Sequence, residues 1–308
     1  MAIPANAKNP NFIGTFRAGR VHQYADHSEP FQWETRRGNF HILATHCVYN
    51  RQQLEATVPD ARYITVLRDP VSQFDSAFVY YDFAKQARIP TDSNSIATFL
   101  SDPKRYARKI NYGRNQLHNG QLHDLGFDKS DYSNPYAVSY KIKQLENEMD
   151  FVIITEYFDE SLVLLKKILC WEVDDILYVP KRVRQADFRF NISASVQQRI
   201  RVWNRADMLL YEHFNRTLWR KIEEYGDDFW RDVEELRERV IEVTAMCSGN
   251  ETTSTQLVVS DRRHHLDVVK LTSESQLCKD LYRMDGDYVN LIRQKISPKD
   301  PSKKRRIP

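Results

Sequence analysis

Arg68-Asp69-Pro70, followed by Ser72 and Ser76, is the segment whose residue types and spacing most directly suggest chemistry. It comes straight after Tyr63-Ile64-Thr65-Val66-Leu67, an apolar run that reads as a strand covered on both faces. Open parallel sheets bind ligands beyond the carboxyl ends of their strands. Asp69 can cap a new helix, and Pro70 can take its first turn, where a missing N–H costs nothing. Such a helix is expected to present free amides and the positive end of its dipole to an anion, while the planar Arg68 fork suits two phosphate oxygens. Ser76 lies seven residues after Asp69 and four after Ser72, so all three fall near one helix face. Phe74, Ala77, Phe78 and Tyr81 supply an apolar stripe for the core. The tripeptide by itself also fits an ordinary strand–turn–helix with a surface arginine.

The elements that position this turn are legible on either side of it. Phe40-His41-Ile42-Leu43-Ala44-Thr45 reads as a buried strand, with His46 beyond its end. Asn50 and Gln53 resemble a capping box opening a short helix. Phe151-Val152-Ile153-Ile154-Thr155 is a third apolar run. Val138, Ile142 and Leu145 before it, and Leu162, Leu165 and Ile168 behind it, keep helical spacing. Strands alternating with helices predict an α/β domain with a parallel sheet. From Ser195, with Gln198 as a cap partner, to about Val243 the pattern is helical. Cys247 to Asp261 is rich in Ser and Thr and reads as a loop, and Leu277 to Ile292 as an amphipathic stretch. The expected division is an irregular lead-in over 1–39, a main domain over 40–246, and a loop, helix and basic tail over 247–308.

With 308 residues, 41% of them hydrophobic, the chain can fill a real core. A net charge of +3 argues against a polyanion binder, so no nucleic-acid partner is expected, although Lys303-Lys304-Arg305-Arg306 forms a local basic run. Cys47, Cys170, Cys247 and Cys278 have no C-x-x-C spacing, which disfavours a zinc site and leaves two disulfides or none. Asn191, Asn215 and Asn250 each begin a glycosylation triplet. No run approaches the ~20 apolar residues of a membrane span, and Met1 to Asn11 lacks the apolar centre of a signal peptide.

The ordered blocks Tyr63-Ile-Thr-Val-Leu-Arg-Asp-Pro-Val-Ser-Gln-Phe-Asp-Ser-Ala-Phe-Val-Tyr-Tyr81, Gly113-Arg-Asn-Gln-Leu117, Asp124-Leu-Gly-Phe-Asp128 and Thr155-Glu-Tyr-Phe-Asp-Glu-Ser-Leu-Val-Leu-Leu165 are joined by Cys170-Trp171, Trp203-Asn204 and Leu210-Tyr-Glu-His-Phe-Asn-Arg216. Together they resemble the galactose 3-O-sulfotransferase family of Golgi carbohydrate sulfotransferases, which includes galactosylceramide sulfotransferase. The resemblance implies a P-loop-NTPase-like three-layer sulfotransferase fold with a parallel sheet and a helical C-terminal half. It also implies transfer of a sulfuryl group from 3′-phosphoadenosine 5′-phosphosulfate (PAPS) to the 3-hydroxyl of galactose on a glycolipid or glycan, without a metal, at the lumenal side of the Golgi membrane. By the same resemblance Arg68 and Ser76, with Ser72 on their helix face, match the positions that bind the 3′-phosphate. His46 stands where the family carries a catalytic base, and a neutral imidazole can accept a sugar hydroxyl proton near pH 7. Arg114 and Asn115 either hold donor or sugar, or cap a helix, or pair with Asp124. Arg184 belongs to the basic stretch Lys181–Arg189, near which such enzymes carry a loop over the nucleotide.

One family feature is not found. The Lys-Thr-Gly loop that grips the 5′-phosphosulfate has no counterpart before Phe40; the nearest text, Ile13-Gly14-Thr15-Phe16-Arg17-Ala18-Gly19-Arg20, lacks the lysine. Loss of one preorganised donor can lower a rate by on the order of 10²–10³-fold, so this chain alone is expected to be weakly active or inactive. That leaves two alternatives: a noncatalytic glycan- or nucleotide-binding protein, and a heparan-type 2-O-sulfotransferase relative, which the later blocks fit less well.

Overall fold

The computed structural model describes residues 2–3, 12–13, 42–43, 47–180, 183–184, 192–248, 252–259, 262–269, 271–283 and 287–288. They belong to two units, 1–63 with 282–308, and 64–281. In the first, β1 (Ala2–Ile3) and β2 (Phe12–Ile13) lie within the stretch expected to be irregular, and β3 (Ile42–Leu43) is the described part of the expected Phe40–Thr45 strand. β2 runs parallel to β3, while Ala2 pairs antiparallel with Leu43 and Tyr63. The helix α1 (Arg51–Thr57) starts as expected at Asn50, whose Oδ1 accepts the Gln53 N–H at 3.1 Å. Its first turn covers Tyr63: the Arg51 guanidinium sits 4.3 Å from the ring centroid, and the phenol donates to Glu55 Oε2 at 3.0 Å.

In the second unit the last four residues of β4 (Arg62–Leu67) pair in parallel with β5 (Phe151–Ile154), Ile64 opposite Phe151 and Leu67 opposite Ile154. All of β5 is buried, as a continuous apolar strand requires. Between them run α2 (Pro70–Tyr80), the short α3 (Phe83–Ala87), α4 (Ser95–Phe99) and α5 (Pro103–Ala107), a 3-10 turn at Arg114–Leu117, α6 (Gly120–Asp124) and α7 (Pro135–Glu148). Phe74 and Phe78 of α2 meet Phe83, Phe99, Ile110, Leu117 and Ile200 in one apolar cluster. Fully burying each phenylalanine stabilises the unit by roughly 2–3 kcal/mol. The spacings read at Val138, Ile142 and Leu145 and at Leu162 and Leu165 are the buried faces of α7 and of α8 (Phe158–Leu169), with Ile168 half-buried. The molecule is thus α/β, mostly helical with a small parallel sheet.

The C-terminal half departs from expectation at its edges. The strand β6 (Val183–Arg184) is followed by α9 (Ala194–Trp203), α10 (Arg205–Tyr225) and α11 (Phe229–Ser248). Ser193, not Ser195, caps α9, through an Oγ that accepts the Val196 N–H at 3.4 Å. The Ser/Thr-rich segment expected to be a loop is corrected to β7 (Thr252–Val259), which pairs with β8 (Arg262–Val269) and through it with β6. β-Branched Thr252, Thr253, Thr255, Val258 and Val259 favour extended backbone over a loop, and the pairing of Val259 with Arg262 leaves a two-residue connection. The helix expected over Leu277 to Ile292 is described as α12 (Gln276–Tyr282). One disulfide joins Cys247 to Cys278, and Cys170 is exposed. Asn215 lies inside α10 with its Oδ1 buried, which makes it a poor acceptor for a glycan.

Candidate functional site

At the carboxyl end of β4 the chain turns through Arg68, Asp69 and Pro70 into α2. Asp69 is the N-cap, and one of its carboxylate oxygens accepts from the Val71 N–H at 3.1 Å and the Ser72 N–H at 2.9 Å. The Gln73 N–H returns to the Asp69 carbonyl at 2.8 Å, and Pro70 has no N–H to give. The expected free amides are therefore corrected: the cap already satisfies the first turn. What the turn offers an anion is side chains. Arg68 is exposed, forms no ion pair among the described residues, and leads into a helix face on which Ser72 and Ser76 are half-buried. The core face is as read, with Phe74, Ala77 and Phe78 buried and Tyr81 half-buried.

The turn is held from two sides by residues that the sequence did not single out as parts of a site. On one side, Gln121 of α6 accepts the Arg68 N–H at 2.8 Å and donates to the Arg68 carbonyl at 2.9 Å. On the other, the Asp69 N–H donates to Glu156 Oε1 at 3.0 Å; Glu156 follows β5 and also accepts from Tyr211 at 3.3 Å. Burial, and then the Glu156 carboxylate, push the Tyr211 phenol up, which keeps it a donor. Gln121 is itself anchored by Asp207, fully buried at the start of α10, whose two oxygens accept the Gln121 N–H at 3.1 Å and the Leu122 N–H at 2.9 Å. Burial pushes the Asp207 carboxyl up to about 7 against the pull of those donors, with Asp124 adding to the rise. Asn119 completes the lacing: its N–H donates to Asn204 at 2.8 Å, and its Oδ1 accepts the Asp207 N–H at 3.0 Å. Asp207 had one readable sign, since it shares the helical spacing of Leu210, Phe214, Leu218 and Ile222.

The other expected site residues lie on separate elements or outside the described residues. Arg114 and Asn115 are exposed on the 3-10 turn, and Asn115 Oδ1 accepts from Lys129 Nζ at 2.6 Å. It is Gln116, not either of them, that bonds Asp124, at 2.7 Å. Gly113 must precede this turn as glycine: its φ is +72°, and an added Cβ would stand 2.2 Å from the Tyr81 ring. Arg184 lies in β6, its backbone paired opposite Leu266. His46 lies outside the described residues, as do Gly14 to Arg20. Among the described residues no cluster of three or more His, Cys, Asp or Glu is placed to hold a metal ion, and no helix is long and apolar enough to cross a membrane.

Comparison with known proteins completes the picture. The family model for galactose-3-O-sulfotransferase matches residues 4–266, so the likeness extends through the N-terminal stretch as well as the blocks read above. Mouse galactose-3-O-sulfotransferase 3 is 37% identical over 216 residues, covering 68% of this chain and 50% of its own. Human galactosylceramide sulfotransferase is 35% identical over 240 residues, covering 77% of this chain and 54% of its own, and the mouse protein of that name is 37% identical over 203 residues, covering 65% and 48%. The chain spans about half the length of the curated relatives it matches. No solved structure matches. Nothing in these likenesses favours a noncatalytic binder, and the resemblance first carried by short blocks holds across most of the sequence: the chain belongs to the galactose-3-O-sulfotransferase family.

Proposed function

We propose that the protein is a PAPS-dependent sulfotransferase acting on the 3-hydroxyl of a galactose residue in glycolipids or glycoprotein glycans. Family membership carries this reading, and the Arg68–Ser76 turn at the end of β4 supports it. When bound, the donor supplies the sulfuryl group and the phosphate that leaves with its electron pair. Arg68 and the Ser72 and Ser76 hydroxyls hold the 3′-phosphate by charge-assisted hydrogen bonds. His46 takes the acceptor hydroxyl proton as the new S–O bond forms and the old one to phosphate breaks. Arg184 closes over the nucleotide, and the sheet belongs to a three-layer sulfotransferase fold of P-loop type. A lumenal setting in the Golgi fits the Cys247–Cys278 disulfide, which persists in oxidising compartments.

Calorimetry with 3′-phosphoadenosine 5′-phosphate on wild type and Arg68→Ala tests the nucleotide seat. Loss of one charged, phosphate-binding side chain is expected to weaken binding about tenfold or more. Equal affinity in the two proteins would remove the assignment. Incubation with labelled donor and either lactose or galactosylceramide then tests transfer, and product resistant to a His46→Ala change would remove the base.

A further inference from the structure

The 3-10 turn that carries Arg114 and Asn115 has two sides. Gln116 points toward α2 and accepts from Gln73 Nε2 at 3.2 Å, four residues along the helix from the Asp69 cap. Arg114 and Asn115 instead line an open cavity of about 620 Å³ with Lys104, Arg108, Lys129 and a His118–Trp203 pair. Among the described residues no carboxylate lines it. None of its four cations makes an ion pair with a described residue, although Asp128 acts on Lys129 electrostatically. Arg114 and Lys129 repel: after burial, the arginine is the next influence lowering the Lys129 ammonium. Converging like charges that form no ion pair oppose folding, and a bound anion would turn that opposition into affinity.

The His118–Trp203 part of the lining is held by stacking and a hydrogen bond. His118 stacks on Trp203 with ring centroids 4.1 Å apart, and the indole N–H donates to the Leu117 carbonyl at 2.8 Å. Burial pushes the His118 imidazole down to about 4, so near pH 7 it is a neutral, polar surface. With one indole face taken by His118 and its N–H taken by Leu117, the wall offers little to a stacked nucleobase. It suits a hydrophilic ring instead, with Asn115 able to donate its amide hydrogens to ring hydroxyls.

We propose that this groove binds an acidic saccharide, through a sulfate, phosphate or carboxylate group carried on a sugar near the acceptor galactose. The inference rests on the family reading above and extends it, assigning acceptor preference to a surface separated from the Arg68 turn by a single 3-10 turn.

The test is calorimetry of the whole chain with lactose, a sulfated lactose and 3′-phosphoadenosine 5′-phosphate, repeated on a Lys104→Glu/Arg108→Glu variant. Both positions are exposed, and an unchanged urea unfolding curve certifies the fold. The sulfated sugar is expected to bind at least about tenfold tighter than lactose to wild type, with a steep loss in added salt. In the variant that preference disappears while nucleotide affinity stays within about twofold. Equal binding of the two sugars to wild type, or a preference that survives charge reversal, overturns the proposal. A tenfold loss of nucleotide affinity in the variant overturns it too, by assigning the groove to the donor. The Arg68→Ala comparison is a separate arm, so failure of the nucleotide seat and failure of the groove are read independently.

Discussion

Gln121 grips the backbone of Arg68 at both ends, accepting its N–H at 2.8 Å and donating to its carbonyl at 2.9 Å. The two residues are 53 positions apart in the chain, so an amide on α6 sets where the arginine at the end of β4 begins. The Arg68 guanidinium carries the charge; Gln121 fixes the point from which it reaches.

Replacing Gln121 with alanine removes both bonds from partly solvated groups, so global stability should fall by less than about 1 kcal/mol. Affinity for 3′-phosphoadenosine 5′-phosphate should fall more, by roughly fivefold, because the Arg68 turn is no longer held in register. Gln121→Glu keeps the acceptor and loses the donor, and should fall between the two. Calorimetry beside urea unfolding separates the effects; a loss of stability without any change in affinity would assign Gln121 a purely structural part.

Asp207 gives the fold a pH dependence of defined sign. Its folded carboxyl titrates at about 7, above its ordinary value of 3.8. Between those values the folded chain holds a proton that the unfolded chain releases, so the contribution of Asp207 to stability is greatest below 3.8 and is lost as pH rises toward 7. Asp207→Asn should flatten that part of the curve of stability against pH, measured as the difference from wild type at several pH values. Asp207→Ala leaves the Gln121 and Leu122 N–H groups without their acceptor and should cost about 2–4 kcal/mol. A wild-type slope retained in the asparagine variant would show that another group titrates.

Gly113→Ala should destabilise by about 2–3 kcal/mol, from a left-handed backbone and a collision with the Tyr81 ring. Pairing it with Tyr81→Ala should recover the steric part and leave the backbone part, so the double-mutant cycle should be markedly non-additive. Additive losses would mean that the ring moves aside at no cost.

Local chemistry made part of this fold readable. Asp69 before Pro70 announced a helix start, and the spacing of Phe74, Ala77 and Phe78 announced its buried side. The unbroken runs of β4 and β5 announced a parallel pair, covered throughout in β5 but not in β4, where Val66 is 52% exposed. What escaped was long-range or depended on how groups share partners. Composition made Asp69 a helix opener, but only coordinates show that its carboxylate consumes the amides an anion would need. Gln121, Glu156 and Asp207 act on residues 53 to 87 positions away, where no periodicity reaches. The β7–β8 hairpin was hidden by its serines and threonines, because Thr is at home both in loops and on a pleated sheet, and cross-strand pairing decides between them.

The bond between Cys247 and Cys278 has a consequence for how the chain fails. It spans 31 positions and closes a covalent ring that contains both strands of the β7–β8 hairpin. The Cys247 carbonyl, at the end of α11, also accepts the Thr272 N–H at 2.8 Å, so the base of the ring is pinned without sulfur as well. A protease that nicks the hairpin tip therefore opens the ring but releases nothing: the piece bearing α12 stays tethered to α11, and two fragments separate only when a reductant is added.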